Sequence, residues 1–308
     1  MKAAAFSLVV LTLNVAGPRR RASIPRLKAE GADVAAFQEV RRKTDLEALG
    51  EAAGHAHHAL DERLGLAVTS RLPIDSWASR DLGGGYGVLR ARLRGEKGAI
   101  DVYSTRLEPG DGLAAARRLG QMFRMAEFIR TESSGRPFVL LGDFGVDAAE
   151  RDSALLLDLL EGRDLCVSHG DEACNRPFGD RRVDYAVIPY SSRPPRETPR
   201  VGFADLPRTG DGAPHFGLRV VLDEDFFRLK PAIQPPGRDE ALATIGDSLE
   251  DAATAAARNG AKAGWIPFLG ARQSAAAQDE VAEFASLEEE IRTTRLRASK
   301  RELPSSDD

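Results

Sequence analysis

Five polar side chains stand at or beside the ends of short apolar runs: Asn14, Glu39, Asp143, Asp184 and His215. A carboxylate such as Glu39 can hold Mg²⁺, which takes oxygen ligands and keeps several waters. A metal held there polarises phosphoryl oxygens. A histidine can take a proton from an attacking water. A second carboxylate can align that water or offset the imidazolium charge. The set suits metal-assisted phosphoester hydrolysis. Each member also has a structural reading. Gly142-Asp143 can be a plain turn. Glu39 can be a charge at a helix N-terminus. Asp184 can pair with Arg181 or Arg182, and His215 can be an ordinary turn residue.

The elements that must position these groups follow from periodicity. Phe138–Leu141 is an apolar run that stops on Gly142-Asp143, and ligands of α/β sheets gather where strands give out. Further strands are expected at Phe6–Leu13, Asp33–Phe37, Leu66–Thr69, Ser76–Arg80, Val88–Leu93, Ala99–Ser104, Arg182–Ile188 and Leu218–Leu222. Helices are expected at Ile24–Ala29, at Asp45–Ala53 with Thr44 as cap, at Leu113–Ile129 and at Ser153–Leu160. The third carries Leu119, Met122, Phe123, Ala126 and Ile129 on one stripe. Strands outnumber helices and often follow one another directly. That pattern fits two mixed sheets packed face to face with helices outside, rather than a doubly wound sheet.

Composition bounds the rest. The chain has 308 residues, 42% hydrophobic and 29% charged, with net charge -4. Residues 225–308 hold 15 acidic and 11 basic side chains, and residues 1–224 hold 32 of each. A core without a basic excess does not favour nucleic acid as partner, although Arg19, Arg20 and Arg21 form a local basic run. Cys166 and Cys174 lack zinc-site spacing. Read as free thiols, they suit a reducing compartment, so a cytoplasmic location is expected. The N-terminal apolar run imitates a secretory leader but reads as a first strand. No stretch is apolar enough to span a bilayer. Expected boundaries are a core over 1–229, a Pro-rich linker over 230–237, helices over 238–300 and a disordered tail over 301–308. The apolar stripes of the C-terminal helices would need a protein partner, or the core, to cover them.

Seven stretches, in order, resemble one family. Leu11-Thr12-Leu13-Asn14-Val15 is similar to its "LTxNV" and Asp33–Val40 to "DIVALQEV". Gly65–Ile74 resembles "GxAIxSRxPI", and Val102–Leu107 resembles "VxNTHL". Leu141–Gly145 is similar to "GDFN", Arg182–Tyr185 to "RIDY" and Pro214–Leu218 to "SDHxxL". These are motifs of the endonuclease/exonuclease/phosphatase superfamily, with its deoxyribonuclease- and sphingomyelinase-like fold. The resemblance covers about residues 6–222. It implies a four-layered α/β sandwich with the site at one edge of two packed mixed sheets, to which the chain adds a C-terminal helical extension.

It also implies roles. Glu39 and Asn14 would hold Mg²⁺. His215, Asp143, Asp184 and Arg106 would be catalytic. Asn14, Arg106 and Tyr103 would contact a phosphate-ester substrate. Three positions depart from the pattern. Arg106 stands in place of the histidine of "THL", Gly145 in place of the asparagine of "GDFN", and Pro214 in place of the aspartate of "SDH". An arginine can neutralise phosphate but does not transfer protons near neutral pH. The expectation is a Mg²⁺-dependent phosphoester hydrolase with an altered or impaired site, in which the metal itself can have been lost. The alternative is a non-catalytic scaffold or binding protein of the same fold.

Overall fold

The computed structural model describes residues 7–95, 98–110, 113–145, 162–164, 184–189, 200–203, 217–223 and 226. The expected helix over Ser153–Leu160, both cysteines, the Pro214-His215 turn, the linker and the C-terminal helices lie outside them.

In chain order the elements are β1 (Ser7–Asn14), α1 (Pro18–Glu30), β2 (Val34–Gln38), α2 (Lys43–Ala53), β3 (His57–Asp61), β4 (Leu66–Ser70), β5 (Ile74–Gly83), β6 (Tyr86–Gly95), β7 (Gly98–Arg106), α3 (Leu113–Ser133), β8 (Phe138–Asp143), β9 (Gly162–Asp164), β10 (Asp184–Pro189), β11 (Arg200–Phe203) and β12 (Leu218–Asp223). They make two six-stranded sheets. One runs β11-β12-β1-β2-β4-β3 and the other β5-β6-β7-β8-β10-β9. Each sheet has one parallel pair at its centre, β1 with β2 and β7 with β8, and antiparallel pairs elsewhere.

Strand alternation sorts the side chains into layers. Val10, Val34, Ala36 and Val68 from the first sheet meet Leu89, Val102, Val139, Leu141 and Ala186 from the second. The opposite parity of the first sheet, Leu11, Leu13, Ala35 and Phe37, packs under Leu27 of α1 and Leu46, Leu49 and Ala53 of α2. Helix α3 covers the outer face of the second sheet. There Phe128 and Phe138 set their rings edge-on to Tyr103, with centroids 6.2 and 6.0 Å away. Helix, sheet, sheet and helix make the four layers.

Two helix starts differ from expectation. Helix α1 begins earlier, at Pro18, where a missing N–H costs nothing. It stops at Gly31, whose left-handed backbone (φ 60°) lets its N–H bond the carbonyl of Lys28. Thr44 does not cap α2. Arg42 takes that place without a side-chain cap, and its guanidinium grips Asp45 of the first turn at 3.0 Å. Among the described residues no helix is long and apolar enough to cross a membrane.

Candidate active site

The central strands of both sheets end on polar residues. Asn14 ends β1, Gln38 ends β2, Arg106 ends β7 and Asp143 ends β8. Asp184 opens β10, which runs antiparallel to β8, and sits opposite Asp143 in register. All five have the parity that faces the other sheet. In an antiparallel pair, side chains of opposed residues share a face. The five therefore converge on one mouth between the two sheets.

Asn14 holds this mouth together. Its Nδ2 donates to Glu39 Oε1 at 3.4 Å and to Asp143 Oδ2 at 3.3 Å. Its Oδ1 accepts the N–H of Ala16 at 3.1 Å, which fixes the amide with its nitrogen toward the carboxylates. Asp143 Oδ1 accepts the N–H of Gly145 at 3.0 Å. Asp143, Asp184 and Asn14 are all buried.

Glu39 reaches the mouth by an unusual route. Simple continuation of β2 would send its side chain outward, to the side of Phe37. Instead its φ is 65°, the only positive value at a non-glycine among the described residues. That conformation costs roughly 1–3 kcal/mol and clusters at functional sites. It turns the carboxylate back between the sheets, where Arg106 Nη2 lies 3.3 Å from Oε1. Arg106 is itself laid over the ring of Tyr86, 5.1 Å from guanidinium carbon to centroid. Its buried Nε has no hydrogen-bond partner among the described residues.

Two glycines shape the far side. At Gly142 (φ 148°) a Cβ would stand 2.1 Å from the carbonyl oxygen of Thr105, inside the β7–β8 pair. At Gly145 (φ 61°) it would stand 2.7 Å from the carbonyl oxygen of Glu108. An asparagine in the latter position requires the backbone to move.

The structure thus brings Asn14, Glu39, Arg106, Asp143 and Asp184 together. It does not bring Tyr103 to them. Tyr103 lies three residues before Arg106 on β7 and so faces the opposite way. It is fully buried under α3, and its hydroxyl bonds Ser133 Oγ at 2.7 Å. Burial pushes its phenol well above the usual range. It packs against Phe128 and Phe138 and is turned away from the mouth. His215 lies outside the described residues. Sequence reasoning missed Tyr86, and it missed the buried polar bridge behind the mouth. Gln38 Nε2 donates to Thr12 Oγ1 at 3.3 Å and to Ser104 Oγ at 3.0 Å, tying β1, β2 and β7. Thr12, Gln38 and Ser104 at inward positions of apolar strands were the available signal.

The residues present do not fit a divalent ion as they are arranged. Mg²⁺ needs several oxygens in near-octahedral array. Among the described residues no three His, Cys, Asp or Glu side chains gather to hold a metal. Asn14 turns nitrogen toward Glu39, and Glu39 is paired with a guanidinium.

Comparisons with known proteins agree on the architecture. No curated protein matches the sequence. Solved structures do match, at identities that speak for the fold alone. A humanized TDP2 of D. rerio aligns with TM-score 0.58 at 16% identity, covering 70% of this chain and 98% of that one. Sphingomyelinase C from Streptomyces griseocarneus gives 0.52 at 18%, covering 70% and 99%. A beta toxin mutant from Staphylococcus aureus with bound magnesium ions gives 0.53 at 12%, also covering 70% and 99%. The sequence signature of the endonuclease/exonuclease/phosphatase family matches residues 11–220, the span that builds both sheets and their mouth. By that match, the chain belongs to the endonuclease/exonuclease/phosphatase family.

Proposed function

We propose that this chain is a phosphoester-handling member of its family whose hydrolytic power is weakened at the end of β7. The observation that carries this reading is Arg106. It occupies a strand end at the mouth, beside Glu39 and within the Asn14–Asp143 cluster. The resemblance puts a histidine there. A guanidinium stays protonated at any ordinary pH, so it offers charge to a phosphoryl group and no proton transfer. General acid–base catalysis contributes about 10² to 10⁴ in rate, and turnover of simple diesters should be reduced on that scale.

The other groups keep definable parts. Asp143 and Asp184, opposed in register, flank the place where water or a leaving group would be oriented. Asn14 spaces Asp143 from Glu39. His215 is the proposed base. The loop at Gly145 supports the reading, because its backbone conformation leaves no room for a phosphate-binding asparagine. The change there belongs to the loop and is more than one lost side chain. Such losses among groups that act together are far from additive. The related reading, a binding protein with no turnover, draws on the same Glu39–Arg106 pair.

The test is calorimetric titration with a non-hydrolysable phosphonate diester. The parent should bind it, and Arg106→Met should weaken binding by about tenfold or more, the value of a charged hydrogen bond. A parent that binds no phosphonate, while folded, contradicts the proposal.

A further inference from the structure

We propose that Arg106 is the built-in cation of this mouth, standing beside Glu39 where a divalent metal ion would otherwise sit, so that the folded chain is indifferent to Mg²⁺. This rests on the reading that the strand-end cluster is the functional site.

The geometry behind it is independent of any bound group. Arg106 is delivered by the last residue of β7, and Tyr86 of the neighbouring β6 supports its guanidinium from one side. The next residue of β6, Gly87, pairs with Arg106 in register. A Cβ at Gly87 would meet Leu64 Cδ1 at 2.5 Å and the carbonyl oxygen of Arg80 at 2.8 Å. The platform is therefore close-packed, and Arg106 has little freedom to swing away. Glu39 is brought to it by the positive φ. A metal at Glu39 Oε1 would have to displace a guanidinium now 3.3 Å away, which is only 19% exposed on its side chain. The displaced cation would stay in the mouth and repel the ion. Asn14 adds a second obstacle. To ligate, it must turn its amide over and give up the N–H of Ala16 and both carboxylate bonds.

Charge substitution of this kind has a signature beyond activity. Removing the guanidinium should create metal binding where none existed. Thermal melts and calorimetry with MgCl₂, against NaCl of equal ionic strength, read it directly. The parent should shift its Tm by less than about 1 °C at about 10 mM Mg²⁺, and Arg106→Gln should rise by about 3 °C or more. The double variant Arg106→Gln with Glu39→Gln should lose that response. If Arg106→Gln does not fold, Arg106→Met keeps an apolar stem against the Tyr86 ring and should respond in the same way. Saturable Mg²⁺ binding by the parent that Glu39→Gln abolishes would overturn the proposal. A folded Arg106 variant with no Mg²⁺ response would overturn it equally. Neither outcome depends on phosphonate binding, so this inference and the functional reading can fail separately.

Discussion

Strand β7 carries two arginine–carboxylate clusters, one on each face, and they are built differently. On the outer face, under α3, Asp101 is fully buried and fully engaged. It accepts Arg92 Nε at 2.8 Å and Nη2 at 3.1 Å, and Ser133 Oγ at 2.8 Å. Arg136 adds a longer contact, and Arg90 pairs with Glu132 nearby. The bidentate hydrogen bond to Asp101 raises the pKa of Arg92. No non-glycine residue of that cluster has a positive φ. On the inner face, at the mouth, the contacts that Asn14 makes with Glu39 and Asp143 and that Arg106 makes with Glu39 are long, 3.3–3.4 Å. Glu39 is strained. A buried Nε without a hydrogen-bond partner among the described residues occurs on both faces, at Arg106 and at Arg90. A cluster that stabilises a fold satisfies its charges at short range. A cluster kept for ligands tolerates backbone strain.

Breaking the strand pair that carries both clusters should have the largest effect. Gly142→Ala forces a Cβ into the backbone of β7, and the loss of stability should exceed about 4 kcal/mol by denaturant unfolding. Next is the outer cluster alone. Asp101→Ala strands two arginines at α3 and should cost about 3 kcal/mol. A pH series probes a third place, remote from both. His55 is buried at the opposite edge of the first sheet, with Nε2–H donating to the carbonyl of Ala32 at 2.9 Å and Nδ1 accepting from Thr69 at 2.7 Å. Burial holds its pKa below the ordinary 6.5. The unfolded chain then binds the proton first, so stability is full above about 6.5 and falls as pH drops through the folded value. His55→Gln should flatten that part of the profile. The smallest effect belongs to the mouth. Glu39→Gly relieves the positive φ and should leave stability unchanged or raise it by about 1 kcal/mol. A loss comparable to Asp101→Ala would mean that the mouth is also a structural cluster.

Much of this was legible because apolar runs announce buried strands and polar residues stand out at their ends. Asn14, Asp143 and Arg106 were readable in that way. Other features were not. Strand β3 is an edge strand, His57–Asp61, with only one fully buried residue, so it carries no hydrophobic period. Strands β9 and β11 are three and four residues long, too short for alternation to register. Thr44 looked like a cap because Glu47 follows three residues later, but the Arg42–Asp45 pair starts the helix two residues earlier. Tyr103 was expected at the site from the family resemblance, whereas strand parity sends it to α3. The turn of Glu39 is a backbone property that no residue type announces. Tyr86 becomes relevant only once β6 is paired with β7 in register.

The most direct test of the central claim is steady-state hydrolysis of a simple phosphodiester by the full chain and by Arg106→His. The parent should turn over very slowly, with or without Mg²⁺. The rate should rise by about 10² or more when a titratable group returns to the end of β7. The opposite result would contradict that claim: a parent that already turns over the diester rapidly, loses that activity in Glu39→Ala and gains nothing from Arg106→His.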